Sequence, residues 1–346
     1  MKRTIFVFML ILLTVMPVNA IEYSAPEPPQ AAAKYLAEEP ETFSEGLWKI
    51  IKEAVSHLQP DLAEAARVCS MLVACVLLSS ILQGFTGISQ HTVTLVTTLS
   101  IAVLLMEATN SLIHLGVDTV REISEYGKLL IPVMTSALAA QGGITTSAAL
   151  YAGTTLFDSV LTTGIAKIFV PMLFVYLMLC ISNRALGGDM LKSLQEFVNW
   201  LITWGIKTIL YVFTGYLSIT GVISSAQDAA AIKAAKITIT GAVPVVGNII
   251  SDASDSILSG IGVVKSSVGI YGLLVILAIW IGPFLKIGVQ YLLLKITAAV
   301  CSTIGSKQSV GLIKDISTIM GFLLAIIGTV CLLMLVSIVC FLKGAM

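Results

Sequence analysis

The chain has 346 residues, of which 57% are apolar and only 12% are charged, and its formal net charge at pH 7 is zero. Soluble domains usually carry about twice that charged fraction. Together with a mean hydropathy of +0.96, this composition excludes an ordinary soluble protein and predicts a membrane protein. The sequence has no basic patch interleaved with aromatic residues, so it gives no indication of nucleic-acid binding.

The first 20 residues have the pattern of a signal peptide. A positively charged start, Lys2 and Arg3, precedes the apolar run Ile5–Met16, and the small-residue sequence Val18-Asn19-Ala20 follows it. We expect cleavage after Ala20, which would leave Ile21 outside the cytoplasm. The alternative is an uncleaved first membrane helix.

Residues 21–67 form a predicted exported segment that contains nine acidic and four basic residues. Ser44 is a candidate helix cap, and the apolar residues that follow recur at helical spacing up to Leu58. The apolar face consists of Leu47, Ile50, Ile51, Ala54, Val55 and Leu58. Such an amphipathic helix can lie on the membrane surface, against a partner or against the membrane domain of its own chain.

The remainder, residues 68–346, predicts an all-α polytopic membrane domain with six to eight membrane segments. Several apolar runs approach the roughly 20 residues that cross the hydrocarbon core. The candidate spans are Val68–Leu82, Val93–Leu115, Ile165–Ile181, Ile206–Val222, Val268–Leu285 and Ile319–Leu342. With an exported N-terminus, residues 184–199 and 303–315 are predicted cytoplasmic loops, and residues 116–128 an external loop.

Proline spacing predicts two repeated halves. Pro132 and Pro171 lie 39 residues apart, and Pro244 and Pro283 repeat this pair at an offset of 112. In both halves a short apolar run is interrupted by a stretch rich in glycine, serine or threonine, a pattern that marks the working site of many transporters. We predict repeats at 92–203 and 204–346. The expected helix-breaking residues are Pro132, Gly142, Gly143, Pro244 and Gly247.

Four acidic residues fall at membrane depth, where charges are costly and usually face water, a partner or the interior of a bundle. They are Glu107, Asp158, Asp252 and Asp255. One interpretation is a water-lined passage or a site for a proton or cation. The other applies to Asp252 and Asp255, which can cap a helix start and favour its positive dipole end.

The sequence gives no indication of disulfides, a metal site or a phosphate-binding loop. All six cysteines lie in or beside apolar spans, so we expect them to stay reduced rather than form disulfides. The three histidines are dispersed, no cysteine–histidine spacing suits a metal, and no phosphate-binding loop motif occurs. We therefore expect no cofactor, no metal and no enzymatic activity.

The run from Ala235 to Ser256 resembles the central signature of the stage III sporulation protein AE family, found in endospore-forming Firmicutes. Shorter stretches are also similar to it: Leu130–Pro132, Thr145–Leu150 and Ser224–Asp228. The resemblance extends over essentially the whole mature chain. It carries no catalytic residues over to this sequence.

The resemblance implies a membrane subunit of the assembly encoded by the stage III A operon. That assembly lies in the mother-cell membrane around the forespore, meets a forespore-membrane protein, and is thought to act as a channel or secretion-like apparatus after engulfment. Two other functions remain compatible with the residues. One is a stand-alone secondary transporter of a small solute or ion, and the other is a purely structural platform.

Overall fold

The computed structural model describes residues 25–36, 42–85, 89–140, 144–186, 191–219 and 267–344. These residues form helices and the turns between them, which confirms the predicted all-α class. The helices are α1 (Gln30–Ala33), α2 (Phe43–Ser56), α3 (Leu58–Gln83), α4 (Gln90–Ala140), α5 (Ile144–Gly164), α6 (Val170–Leu186), α7 (Lys192–Ile219), α8 (Ser267–Cys301) and α9 (Lys307–Gly344). A π-helical turn, Ile165–Phe169, joins α5 to α6.

Six helical rods in the described part of the chain are long and apolar enough to cross a membrane. They are α3, α4, the α5–α6 rod, α7, α8 and α9, and each contains all or most of one of the six candidate spans. The chain is therefore a multi-pass helical membrane protein. Every rod extends beyond its predicted span, because hydropathy marks only the apolar part of a helix.

Successive rods run in alternating directions. The ends of α3 and α6 and the starts of α4 and α9 line one cleft, where Gln83, Gln90, Arg184 and Ser306 lie together. The backbone N–H of Leu191, at the start of α7, donates to the side chain of Asn183 near the same place. We call this end of the bundle the loop end. The stretches predicted to be cytoplasmic, 184–199 and 303–315, both begin or end there.

Helix α9 forms the core of the bundle. Every residue from Phe322 to Leu342 is buried. Its most apolar 18-residue window is wholly buried, against at most half of the corresponding window in the other rods. A helix that is apolar all round has to be surrounded by other elements. Helices α4, α5, α6, α7 and α8 all pack against it.

The prediction of a loop at 116–128 is wrong, because these residues are helical and lie within the 51-residue helix α4. Their predicted location outside the cytoplasm stays a prediction. The charges there mark one face of a helix rather than a turn. The expected break at Pro132 is also absent, since α4 continues through it to Ala140. Pro132 lacks the N–H that would bond to the carbonyl of Lys128, and the helix continues past this one missing bond because α4 is packed against α8 and α9.

Only some of the remaining residues that predicted the repeat lie in the described part of the chain. Gly142 and Gly143 fall between α4 and α5 but lie outside the described residues, as do Pro244, Gly247 and the signal peptide. Pro171 begins α6 and Pro283 lies inside α8, and both rods run towards the loop end. The repeat therefore stays a prediction.

The amphipathic helix is present as α2. Thr42 rather than Ser44 caps it, because the Thr42 hydroxyl accepts the backbone N–H of Glu45 at 3.3 Å. Ile50 and Ala54 are buried, and α2 packs on α8 of the same chain. Of the three locations that its sequence allows, the structure shows the one against its own membrane domain.

Close packing of α4 against α8 should be sensitive to side-chain size at Gly272. A Cβ atom there would lie 2.6 Å from Leu130 Cδ2, whereas a Cβ at Gly288 on the same helix would meet nothing within 4 Å. We expect Gly272→Val to destabilise the detergent-solubilised protein by about 1–3 kcal/mol and Gly288→Val to have a smaller effect. Thermal unfolding followed by tryptophan fluorescence would measure the difference, and equal melting temperatures would contradict the contact.

Candidate functional site

The structure separates the two predicted site residues that it describes. Glu107 is exposed on the outward face of α4, beside the exposed apolar side chains of Val103 and Met106. Asp158 lies inside the bundle on α5 and is 8% exposed. Asp252 and Asp255 lie outside the described residues. The candidate site is therefore built around Asp158 alone.

Asp158 connects α5 to α4. Ser124 of α4 donates its hydroxyl hydrogen to Asp158 Oδ2 at 2.7 Å, and both side chains are buried. A hydrogen bond to a charged group contributes about 1.5–3 kcal/mol, and losing it leaves a buried acceptor without a donor. This bond fixes the antiparallel pairing of the two helices at that height.

Two further groups complete the surroundings of the carboxylate. Lys128, one turn beyond Ser124, supplies the positive charge that acts on Asp158. Thr162 follows Asp158 by one turn, and on a helix its side chain points back towards that residue. The Thr162 hydroxyl is buried and has no hydrogen-bond partner. We call Asp158, Ser124 and Thr162 the Asp158 cluster.

Among the described residues, two helical threonines, Thr162 and Thr329, have a buried hydroxyl without a hydrogen-bond partner. Other helical threonines donate to the carbonyl four residues earlier, among them Thr97, Thr119, Thr135 and Thr297. Thr162 lies just before the π-helical turn, a feature that often accompanies functional sites. A carboxylate with two hydroxyls is a hard oxygen donor set, which suits a proton or a small cation. The described residues contain no group of three histidine, cysteine or acidic side chains placed to hold a metal.

A second polar contact lies at the loop end. Arg184 of α6 donates from Nε to Asp315 Oδ2 at 2.8 Å and from Nη2 to Asp315 Oδ1 at 3.3 Å. This forked pairing joins α6 to the central helix α9, and the Asp315 side chain is only 12% exposed. Both residues fall in stretches predicted to be cytoplasmic loops, 184–199 and 303–315, and their pairing was not predicted from the sequence. The available signal was two opposite charges flanking apolar spans on the same predicted side.

Neighbouring amide side chains link α6 to α7 close to the loop end. The Asn183 side chain donates to Gln195 Oε1 at 3.5 Å, and Gln195 donates to the hydroxyl of Tyr176 at 3.4 Å. Beside them is a cleft of about 320 Å³ whose walls are partly polar and partly apolar. It is lined by Gln83, Gln90, His91, Thr94, Leu95, Arg184, Ala185, Ser306 and Gln308.

The centre of the described bundle offers no polar route along its axis. Helix α9 occupies that position, and from Ile319 to Leu342 its only buried polar side chains are Thr329 and Ser337. The Ser337 hydroxyl donates a hydrogen bond to the carbonyl of Leu333 at 2.7 Å. Within the described residues, the Asp158 cluster is therefore an isolated polar site rather than one station in a central passage.

Six long apolar rods, one of them the central helix α9 that is buried from Phe322 to Leu342, define a polytopic α-helical membrane protein. Comparison with known proteins makes the assignment specific. The family model described as stage III sporulation protein AE matches residues 33–344, and the chain belongs to this family. It is 24% identical over 304 residues to the stage III sporulation protein AE of Bacillus subtilis (strain 168), covering 86% of this chain and 75% of that protein. No solved structure matches the chain.

Loss of the Ser124 hydroxyl should weaken the protein because the buried Asp158 carboxylate would lose its hydrogen-bond donor. We expect Ser124→Ala to lower the free energy of unfolding by about 1–3 kcal/mol. Ser100→Ala on the same helix, where the hydroxyl bonds only to the local Val96 carbonyl, should change it by less than about 0.5 kcal/mol. Thermal melts of both variants in one detergent would test this, and an equal loss in the two would rule out a specific role for the Ser124–Asp158 bond.

Because Gly311 has no side chain, the Arg184 guanidinium can occupy the space beside it. A Cβ atom at Gly311 would lie 2.6 Å from Arg184 Cζ, whereas one at Gly328 on the same helix would meet nothing within 4 Å. Alanine is favoured over glycine in a helix by about 1 kcal/mol, so Gly328→Ala should stabilise the protein. Gly311→Ala should instead destabilise it by about 1–3 kcal/mol, because the guanidinium is pushed away from Asp315.

The same variant can be examined in an Asp315→Asn background. If Gly311→Ala acts through the ion pair, its cost should shrink there, since interacting residues are not additive. A cost that is unchanged by Asp315→Asn would show that the clash acts on packing alone.

Proposed function

We propose that this chain is a membrane subunit of a channel or secretion-like sporulation complex that links the mother cell and the forespore and supports forespore development after engulfment. The observation that carries this proposal is the family match over residues 33–344. The proposed location is the mother-cell membrane around the forespore. The proposed partners are the other subunits of the stage III A complex and a forespore-membrane protein, and the proposed role is not enzymatic.

Within that complex, the fold favours a platform. The central position that a pore would occupy in the described bundle is filled by α9, whose residues from Phe322 to Leu342 are all buried. The outer surface, by contrast, carries many large exposed apolar side chains, among them Leu78, Val103 and Trp200. In a membrane, such surfaces can contact lipid or the helices of other subunits. We infer that any conduit is formed by several subunits together.

A stand-alone transporter of a small solute or ion is the second candidate. The observation in its favour is the Asp158 cluster, in which a buried carboxylate and an unpartnered hydroxyl lie one turn apart. Such a site could hold a transported proton or cation. The two functions differ in what should follow when the carboxylate is neutralised.

Deleting the gene in its spore-forming host should block sporulation after engulfment and leave vegetative growth intact. Membrane staining would locate the arrest, and heat-resistant spore counts would measure its extent. The wild-type gene should restore spores, and so should Asp158→Asn, provided that immunoblots show normal accumulation, because a platform does not need the charge. Normal spores together with a nutrient-specific growth defect would contradict the sporulation role.

If Asp158→Asn accumulates normally and fails to restore spores, the platform role is contradicted and a transport or conduit role gains support. Ser100→Ala, which changes an exposed hydroxyl on α4, is the matched control for expression and handling.

A further inference from the structure

Most of the side chains that line the cleft at the loop end can donate hydrogen bonds. The cleft has a volume of about 320 Å³, at the lower end of the roughly 300–1,000 Å³ of pockets that hold small molecules. Its donors come from the ends of α3 and α6 and from the starts of α4 and α9, and they include Gln83, Gln90, His91, Arg184, Ser306 and Gln308. None of the described residues that line the cleft is acidic.

Arg184 carries the only permanent positive charge among the described lining residues. Its guanidinium has five N–H groups, and the pairing with Asp315 uses those on Nε and Nη2. Asp315 thus fixes the direction of the guanidinium without using all of its donors. Since Asp315 also offsets part of the positive charge, a ligand of this cleft has to be held by the neutral donors as well.

This set of donors suits an oxyanion. A guanidinium beside amides, hydroxyls and an imidazole matches the several acceptor oxygens of a phosphate group, which arginine often binds through two parallel hydrogen bonds. A cation is disfavoured, because the nearby carboxylate of Asp315 is already paired. A wholly apolar ligand is also disfavoured, because it would leave the buried donors without acceptors.

The position of the cleft brings lipid headgroups within reach. The rods cross the hydrocarbon core, so the headgroups lie near their ends. At the loop end, α7 and α9 begin with the exposed lysines Lys192 and Lys307, and such long basic side chains reach towards headgroups. The apolar side chain of Leu95 lines the cleft itself, and Leu99, one turn further along α4, is exposed. An amphipathic ligand therefore finds both donors and an apolar surface here.

We propose that the cleft at the loop end binds a phosphate group that is presented by the headgroup of an anionic membrane lipid. Donors of Arg184, His91 and Gln308 bind the phosphate oxygens, and the acyl chains extend along Leu95 and Leu99 of α4. By the predicted topology, this lipid belongs to the cytoplasmic leaflet. Free phosphate offers the same chemistry, and separate titrations distinguish the two sources. The site is argued from the residues of the cleft and does not depend on the proposed sporulation function.

The test uses the full-length protein purified in detergent and native mass spectrometry to measure bound lipid. The probes are phosphatidylglycerol and a galactosyl diacylglycerol with the same acyl chains, which has no phosphate. We expect phosphatidylglycerol to bind more tightly by about tenfold or more, because hydrogen bonds to a charged group contribute about 1.5–3 kcal/mol.

Gln90→Glu and Gln308→Glu each place a carboxylate in the cleft. Both residues lie in the first turn of a helix, where a negative charge favours the positive dipole end, so both variants should fold. We expect each variant to weaken the binding of phosphatidylglycerol by about tenfold, because like charges repel. Gln59→Glu is the matched control. It is the same substitution in the first turn of α3, at an exposed position far from the loop end, and it should leave binding unchanged.

Inorganic phosphate is then compared with chloride at the same ionic strength. If phosphate raises the melting temperature of the wild-type protein and of neither cleft variant, the site is supported with free phosphate as its ligand. If phosphate has no effect and the cleft variants weaken phosphatidylglycerol binding, the site is supported with the lipid as its ligand. Equal binding of the two lipids without an effect of phosphate would overturn the proposal. Phosphatidylglycerol binding that both cleft variants leave unchanged would overturn it as well.

Discussion

The rest of the structure depends on the burial of α9. Its sequence offers no polar stripe from Phe322 to Leu342, so no orientation of this helix alone can face water. Five neighbouring helices surround it, and two of them, α4 and α8, lie close because glycines on them leave room. Gly116 and Gly127 of α4, for example, face Leu323 and Met334. Close approach through small residues is how membrane helices gain packing energy when lipid and protein are equally apolar.

Polar contacts then fix the rotation and register of the surrounding helices relative to one another. Apolar packing around a smooth central helix specifies rotation and register weakly, whereas a buried hydrogen bond has one geometry. Ser124–Asp158 fixes α4 against α5, and Arg184–Asp315 fixes α6 against α9. One contact lies at the loop end and the other far from it, so the α5–α6 rod is tied at two heights.

Family membership and fold together limit the functions that the chain can have, but they identify no chemical reaction. The chain belongs to the stage III sporulation protein AE family, and the described bundle places hydrophobic packing where a pore would need water. That arrangement suits a subunit whose surfaces matter more than its interior. It accords with the proposed platform role.

Much of the architecture could be predicted from residue order alone. Hydropathy is a local property, so six apolar runs identified six membrane helices, and the spacing of Ile50 and Ala54 identified an amphipathic one. The family resemblance was most specific in the run from Ala235 to Ser256, and shorter stretches elsewhere were also similar. Proline was the least reliable signal, because a long helix that is packed on several sides continues through Pro132 although one backbone hydrogen bond is missing there.

The direction in which each side chain faces was decided only by the tertiary structure. Glu107 and Asp158 have the same status in the sequence, as isolated acids in apolar runs, yet one is exposed and the other is buried beside Ser124. Arg184 and Asp315 form an ion pair although they are 131 residues apart in the sequence, and no local pattern links them. Sequence determines which segments leave water. Which faces then meet depends on how all the helices pack at once around α9, because each contact is settled by the space that the others leave.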